Sequence, residues 1–509
     1  MTAVGDGAPG PGQGGDNGPV GSCSSGGSLR PRNGTGGAAD GPHEVKPVKA
    51  TSDRLNYSGK TILAPMVRVG TLPMRLLALE FGADIVYSEE LIDWKLLRSF
   101  RRVNDVLGTI DFVDETDGTI VFRTCARERN NVVLQIGTSD PERALKVGKI
   151  VENDVAGIDI NMGCPKEFSV KGGMGVALMA DLEKAKSVLH TLASGVSCPV
   201  TCKVRVLPDV EATVEVCKAL AETGIAAIGV HGRTRDERPQ HGNRNHYIRA
   251  VAEALSIPVI ANGGSKEILC FEDIEKFRTD TGCSSVMVAR AAEWNVSIFR
   301  KEGLLPLDDV IKKYLTLSVD YDNNGSNSKY CVQNMLRELQ ETPRGKVFLE
   351  AQTLEQICAV WDLADYCRKR QLEFKAAGLL GRREICPQIL RQESADNGTP
   401  TKKIKLQETN DGIITMKIAY IRSLYPTDND LPKTRLLGWV RTQRIGMPSY
   451  KTIQEGKLFQ SVLTVNGVQY TSSMWEKNKR WAEQGAALVC LCSLGQVDSA
   501  TLKADGSIL

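Results

Sequence analysis

Eight short apolar runs, separated by helix-like stretches, limit this chain more than any other feature. They are TILAPM (61–66), DIVYSEE (84–90), VVLQIG (132–137), GIDINMG (157–163), PVTCKVRV (199–206), AAIGVHGR (226–233), PVIANGG (258–264) and SVMVARAA (285–292). Their near-continuous Ile and Val content suits parallel strands covered on both faces. Segments such as DLEKAKSVLHTLASG and VEATVEVCKALAETG lie between them with helical spacing. Eight strand–helix units in a row predict an α/β fold, a closed (β/α)8 TIM barrel. A doubly wound open sheet is the competing arrangement.

The flanking segments read differently. Residues 1–54 are rich in Gly, Ser, Pro and Asp, and they predict a disordered N-terminus. The barrel is expected over 55–303. Over 304–380 the strand signal gives way to helical spacing in IKKYLTLSVDYDN, SKYCVQNMLRELQ and LEQICAVWDLADYCRKRQLEF, which predicts a small helical domain. Residues 381–412 read as a polar linker whose KKIK run is solvated. Within 413–497 a helix candidate, PKTRLLGWVRTQR, precedes three strand candidates, PSYKTIQ, LFQSVLTV and VQYTSSMW. The helix candidate EKNKRWAEQGAALVCLC closes an α-β-β-β-α order. Residues 498–509 are expected to be a disordered tail.

Composition excludes several function classes. Hydrophobic residues make up 41% and charged residues 25%, as in ordinary globular chains. No apolar run reaches the roughly 18–20 residues needed to span a bilayer. The opening MTAVGDGAPG has neither a basic nor an apolar signal region, so a cytoplasmic protein without membrane contact is expected. The 14 cysteines are dispersed, no CxxC occurs, and the five histidines do not cluster near them. A metal site is therefore not expected, and the thiols should be reduced. The net charge of +3 hides an imbalance: between Ile414 and Glu483 eleven basic residues face five acidic ones. A basic module on a mildly acidic body points to a polyanionic partner.

In a barrel, function collects where the strands end. Met66, Val67 and Arg68 follow the first run; Glu90 ends the second and Gln135 lies in the third. Asn161 and Cys164 end the fourth, Lys203 and Arg205 the fifth, His231 and Arg233 the sixth. Asn262, Gly263 and Gly264 end the seventh, and Ala289 and Arg290 the eighth. Each alone has a plain packing explanation, but together they converge on one mouth. ANGG and VARAA provide bare amides and a guanidinium suited to a phosphate, from a phosphorylated cofactor or a phosphosugar. Lys203 and His231 are placed to bond the N1/O2 edge of a flavin, and Gln135 the opposite edge. A thiol such as Cys164 is mostly protonated at neutral pH and can act as acid or nucleophile. No His–Asp relay lies near it in sequence, which favours an acid beside a flavin. The glycines of KGGMG leave its loop free to move, and Lys166 and Lys171 favour an anionic substrate.

APMVRVGTLPMR (64–75), DINMGCPK (159–166), GGMGVAL (172–178), CKVR (202–205), VHGRTRDERPQ (230–240), IANGGS (260–265) and MVARAA (287–292) resemble the tRNA-dihydrouridine synthases. The resemblance covers about Thr61 to Leu380. It extends best to the eukaryotic cytoplasmic class with a C-terminal double-stranded-RNA-binding domain. It implies NADPH-driven, FMN-dependent reduction of the D-loop uridine at tRNA position 20, by a monomer. Cys164 would then protonate uracil C5 while reduced FMN delivers hydride to C6. Met66, Val67, Arg68, Glu90, Gln135, Lys203, His231, Asn262, Gly263, Gly264, Ala289 and Arg290 would contact FMN. Asn161, Arg205, Arg233 and Arg235 would meet the substrate, with Arg238 near them. In the tail, Lys433 and Arg435 would approach a minor groove, and Lys477, Lys479 and Arg480 the phosphates across the major groove. The loop QEGKLFQS departs from the GPxH-like element usual there, which implies a preference for folded tRNA over long duplexes. Two other functions stay open: a flavin reductase of free pyrimidines related to dihydroorotate dehydrogenase, and a non-catalytic RNA-binding regulator.

Overall fold

The computed structural model describes residues 55–379, 412–425, 427–455, 458–476 and 478–508. The segment 1–54 and, Gly412 apart, the linker 381–412 lie outside the described residues. Eight parallel strands close a barrel: β1 (Thr61–Leu63), β2 (Ile85–Tyr87), β3 (Val132–Gly137), β4 (Gly157–Asn161), β5 (Val200–Arg205), β6 (Ala227–His231), β7 (Val259–Asn262) and β8 (Ser285–Val288). β1 pairs with β8 through Ile62 and Met287, and β2 meets β3 through Val86 and Val132. The other neighbours follow chain order, so no open sheet remains. Every residue of β1, β2, β3, β7 and β8 is buried, as strands covered on both faces require. Three helices behind these strands start on aspartate caps. Asp140, Asp181 and Asp209 accept from the N–H groups of Arg143, Lys184 and Ala212, satisfying first-turn donors.

The second strand–helix connection holds an insertion that the run pattern does not reveal. Ser99–Asn104, Thr109–Asp114 and Ile120–Cys125 form a three-stranded antiparallel sheet. Its charged positions are paired, Arg101 with Asp154 at the surface and the others largely inside. Asp111 is fully buried between Arg102 and Arg123, whose hydrogen bonds outweigh the burial and hold its carboxyl down at about 2. Arg75, also buried, donates to Glu128 at 2.6 and 2.8 Å and to the Gly70 carbonyl at 2.7 Å. That network ties the first barrel helix (Leu72–Glu80) to the loop after β1 at the mouth.

Beyond the barrel the chain is helical: Leu307–Asp320, Gly325–Leu336, Pro343–Glu350, Leu354–Ala359 and Ala364–Ala376. Trp361 is buried there edge-on to Phe348. The tail has the expected helix (Pro432–Gln443), three antiparallel strands (Ser449–Glu455, Leu458–Val465, Val468–Ser472) and helix (Lys479–Ser493). Its core, with Leu436, Val440, Leu463, Tyr470 and Leu488, is separate from the barrel core. Two additions depart from expectation, one in the order of elements and one in the C-terminal limit. Ile413–Met416 forms a fourth strand, parallel to Val468–Ser472. The segment expected as a disordered tail, 498–509, instead contains the helix Ser499–Ala504, with Leu502 only 2% exposed and Ile508 bridged to Ile418. Asp498 caps that helix, so a short apolar pattern supported by a cap and a docking surface is enough to order it.

Candidate active site at the barrel mouth

The end of β4 is shaped by Asn161. Its side-chain oxygen accepts from the N–H groups of Gly163 and Cys164 at 3.0 and 2.9 Å, an Asx turn that aims the cysteine. Its amide donates to Gln135 at 3.0 Å, and Gln135 donates to the buried Asp159 at 2.8 Å. Asn161 and Gln135 thus form one chain of bonds across β3 and β4. Arg205 Nε donates to the Gly163 carbonyl at 2.7 Å and braces the same turn from β5. The loop then folds back, and Val176 N–H donates to the Cys164 carbonyl at 3.1 Å. Gly175 makes this possible: it has φ 59°, and a Cβ there would lie 2.4 Å from the Cys164 oxygen. Cys164 is left half-buried, its thiol pushed up by burial and by the adjacent Glu90 carboxyl, hence protonated at neutral pH. Lys171 is paired with Glu167 at 2.6 Å on the surface of the loop.

Beginning on the neighbouring strand β5 and running to β8 lies a well of positive charge. Burial and the neighbouring Arg205 bring Lys203 down to about 8. Burial, then Lys203, Arg205, Arg233 and Arg290, pushes His231 well below its ordinary range, so its ring is neutral. Neither Lys203 nor Arg290 forms an ion pair among the described residues. The N–H groups of Gly263, Gly264 and Ala289 have no acceptor there either. Gly263 has φ 116°, and a Cβ on it would lie 2.0 Å from Asn243 Oδ1. That oxygen is buried without a partner. Unpaired cations, bare amides and an orphaned acceptor fit a phosphorylated cofactor with hydroxyl groups. Asn243 is a site residue that sequence reasoning misses, because it sits in a polar loop with no motif of its own.

The remaining expected residues are distributed unevenly. Met66 accepts from the N–H groups of Val69 and Gly70, forming a tight loop that leaves Val67 exposed. Arg68 takes a left-handed backbone with φ 67°, its N–H bonded to Glu89 at 2.8 Å. Its carbonyl accepts from Asn327 at 2.7 Å and its guanidinium lies over Tyr330, so the helical segment reaches the mouth. Asn262 donates to the Met287 carbonyl at 2.9 Å and links β7 to β8. Glu90 turns toward the thiol loop, where Ser169 Oγ donates to it at 3.4 Å. Arg233 is 4% exposed and donates to the carbonyls of His241 and Gly263, a bracing position rather than an open one. Arg235 is exposed beside Asp236. Among the described residues no cluster could hold a metal ion, and no helix is long and apolar enough to cross a membrane.

In the tail, Lys433 is bonded to Glu483 and lies over the Tyr450 ring. Lys479 is 3.9 Å from the same glutamate and largely exposed. Arg435 donates to the Gln496 carbonyl at 3.2 Å. Arg480 is exposed and forms no ion pair among the described residues. Lys477 lies outside the described residues.

A barrel whose mouth places a protonated thiol beside a cationic, phosphate-fitting well has the layout of a cofactor-dependent oxidoreductase. Residues 62–359 match the dihydrouridine synthase (Dus) family model, and the chain belongs to that family, which reduces uridine to dihydrouridine in tRNA. Residues 432–494 match the double-stranded RNA binding motif. Particular relatives narrow this further. The chain is 36% identical over 354 residues to tRNA-dihydrouridine(20) synthase [NAD(P)+] of Schizosaccharomyces pombe, covering 67% of this chain and 70% of that protein. With the Saccharomyces cerevisiae protein of the same name it shares 31% identity over 383 residues, 69% of this chain and 98% of that one. A crystal structure of a tRNA-dihydrouridine(20) synthase dsRBD domain is 42% identical, covering 16% of this chain and 90% of that chain at a TM-score of 0.16.

Proposed function

We propose that this chain is an FMN-dependent, NADPH-driven enzyme that reduces the uridine at position 20 of cytoplasmic tRNA to dihydrouridine, acting as a monomer. The observation that carries this reading is the protonated Cys164 thiol beside the Lys203–His231–Arg290 well. Lys203 and Arg290, with the free amides of Gly263, Gly264 and Ala289, would hold the anionic parts of FMN. FMN, when bound, supplies the hydride for uracil C6. The protein supplies the proton: it leaves Cys164 Sγ and forms the new C–H bond at C5. Asn161 and Arg205 hold the turn that aims that thiol. A neutral His231 can donate a hydrogen bond without adding a further charge to the well.

A uridine inside a folded tRNA must leave its stack, at a cost of a few kcal/mol. Phosphate contacts made by the tail, with Lys479 and Arg480 foremost, offset that cost at a distance. The decisive test is Cys164→Ala. The purified variant should stay yellow, with flavin released on denaturation, and dihydrouridine formation on tRNA, read by mass spectrometry, should fall at least about 100-fold. Full activity in that variant would overturn the role of the thiol, and a colourless wild-type protein would overturn the flavin.

A further inference from the structure

The loop that carries Cys164 closes on one further titratable group, Glu90. The thiol and this carboxyl face one another across the loop, close enough to interact electrostatically. Ser169 donates to Oε1 from the same loop, while Oε2 is buried with no hydrogen-bond partner among the described residues. Two glycines make the enclosure close. A Cβ at Gly137 would lie 2.8 Å from Glu90 Oε1. A Cβ at Gly175 would lie 3.0 Å from Cys164 Cβ and 2.7 Å from Ser169 Oγ. A buried, half-satisfied carboxylate beside a thiol, in a space shaped by missing side chains, is a built contact rather than a chance one.

We propose that Glu90 is a positioning residue for Cys164: its carboxylate accepts the thiol's hydrogen bond and keeps that thiol a proton donor inside a cationic mouth. This rests on Cys164 being the proton donor. The charges facing the thiol show why such a partner is needed. Lys203 and Arg205 face it from β5, and the Lys166 N–H from its own loop; all three favour thiolate. Lys166 also faces Glu90. Cations near a cysteine usually make a reactive thiolate, and a thiolate has no proton to give. Burial opposes that drift, and so does Glu90, the carboxyl that faces the thiol.

The test labels the purified full-length protein with iodoacetamide across pH, without tRNA or reductant, and reads the Cys164 peptide by mass spectrometry. Wild-type labelling should have its midpoint above the ordinary thiol value of about 8.5. Glu90→Gln should move the midpoint down by about one pH unit and speed labelling at pH 7.5 about tenfold. Glu90→Asp, which keeps the charge, should stay near wild type. The alkaline limb of the dihydrouridine rate should shift down with the midpoint in Glu90→Gln. An unchanged midpoint in a folded Glu90→Gln protein would overturn the proposal. So would a wild-type midpoint below pH 8, a measurement that needs no variant. Either failure removes the role of Glu90 and leaves Cys164 to be judged by its own substitution.

Discussion

At the residue scale the site is built from charges that would not survive in an ordinary core. Lys203 sits in a barrel strand and forms no ion pair among the described residues, which is costly for the folded protein. Its pKa of about 8 lies below the unfolded value of about 10.4, so the protonated form is penalised in the fold. The penalty is complete below about pH 8 and fades as pH rises toward about 10. Lys203→Met should therefore stabilise the flavin-free protein by roughly 1–3 kcal/mol at pH 7, with no gain left near pH 10. Melting temperatures at the two pH values check this. The same variant should no longer retain flavin, which absorbance after gel filtration reads. Strand-end chemistry of this kind is legible in the sequence, because a Lys or His inside a Val/Ile run has few structural excuses. Asn243 and the pairing of Glu90 with Cys164 are not legible, since each depends on a contact between loops distant in sequence.

At the element scale, turns and caps decide where the chemistry points. Gly175→Ala forces a left-handed backbone and a clash with the Cys164 carbonyl. It should cost about 1–3 kcal/mol locally and misplace the thiol. Dihydrouridine formation should fall while barrel circular dichroism and flavin content stay near wild type. The eight strands are legible because burial on both faces leaves an unbroken apolar signature. The antiparallel insertion Ser99–Cys125 is masked by its charges, which read as a polar loop until Arg102, Arg123 and Asp111 are seen paired. The C-terminal helix is a similar case. Leu502→Ala, removing a side chain packed in the tail core, should lower the stability of the tail by about 2–4 kcal/mol. Hydrogen exchange in Lys479–Ser493 measures that loss.

At the scale of the whole molecule, the barrel and the tail have separate cores and separate tasks: one organises the mouth and the other presents cations. The cations are not equivalent. Lys433 shares Glu483 with Lys479, whereas Arg480 is exposed and forms no ion pair among the described residues. Lys479→Ala with Arg480→Ala should weaken tRNA binding and reduce the log–log salt slope by roughly two. Lys433→Ala alone should change the slope by less than about one, because Glu483 already offsets its charge. Filter binding over a salt series separates the cases, and an unaltered slope in the double variant would refute the phosphate contacts. By itself the sequence determined the closed barrel, the α-β-β-β-α tail and the residues crowding one mouth, because periodicity and strand-end residue types act locally along the chain. Only the tertiary structure decided which of those residues stand free to bind and which are spent on bracing, as Arg233 and Asn262 are. It also decided which acid faces the thiol, because burial and pairing are properties of neighbours in space that no spacing along the chain encodes.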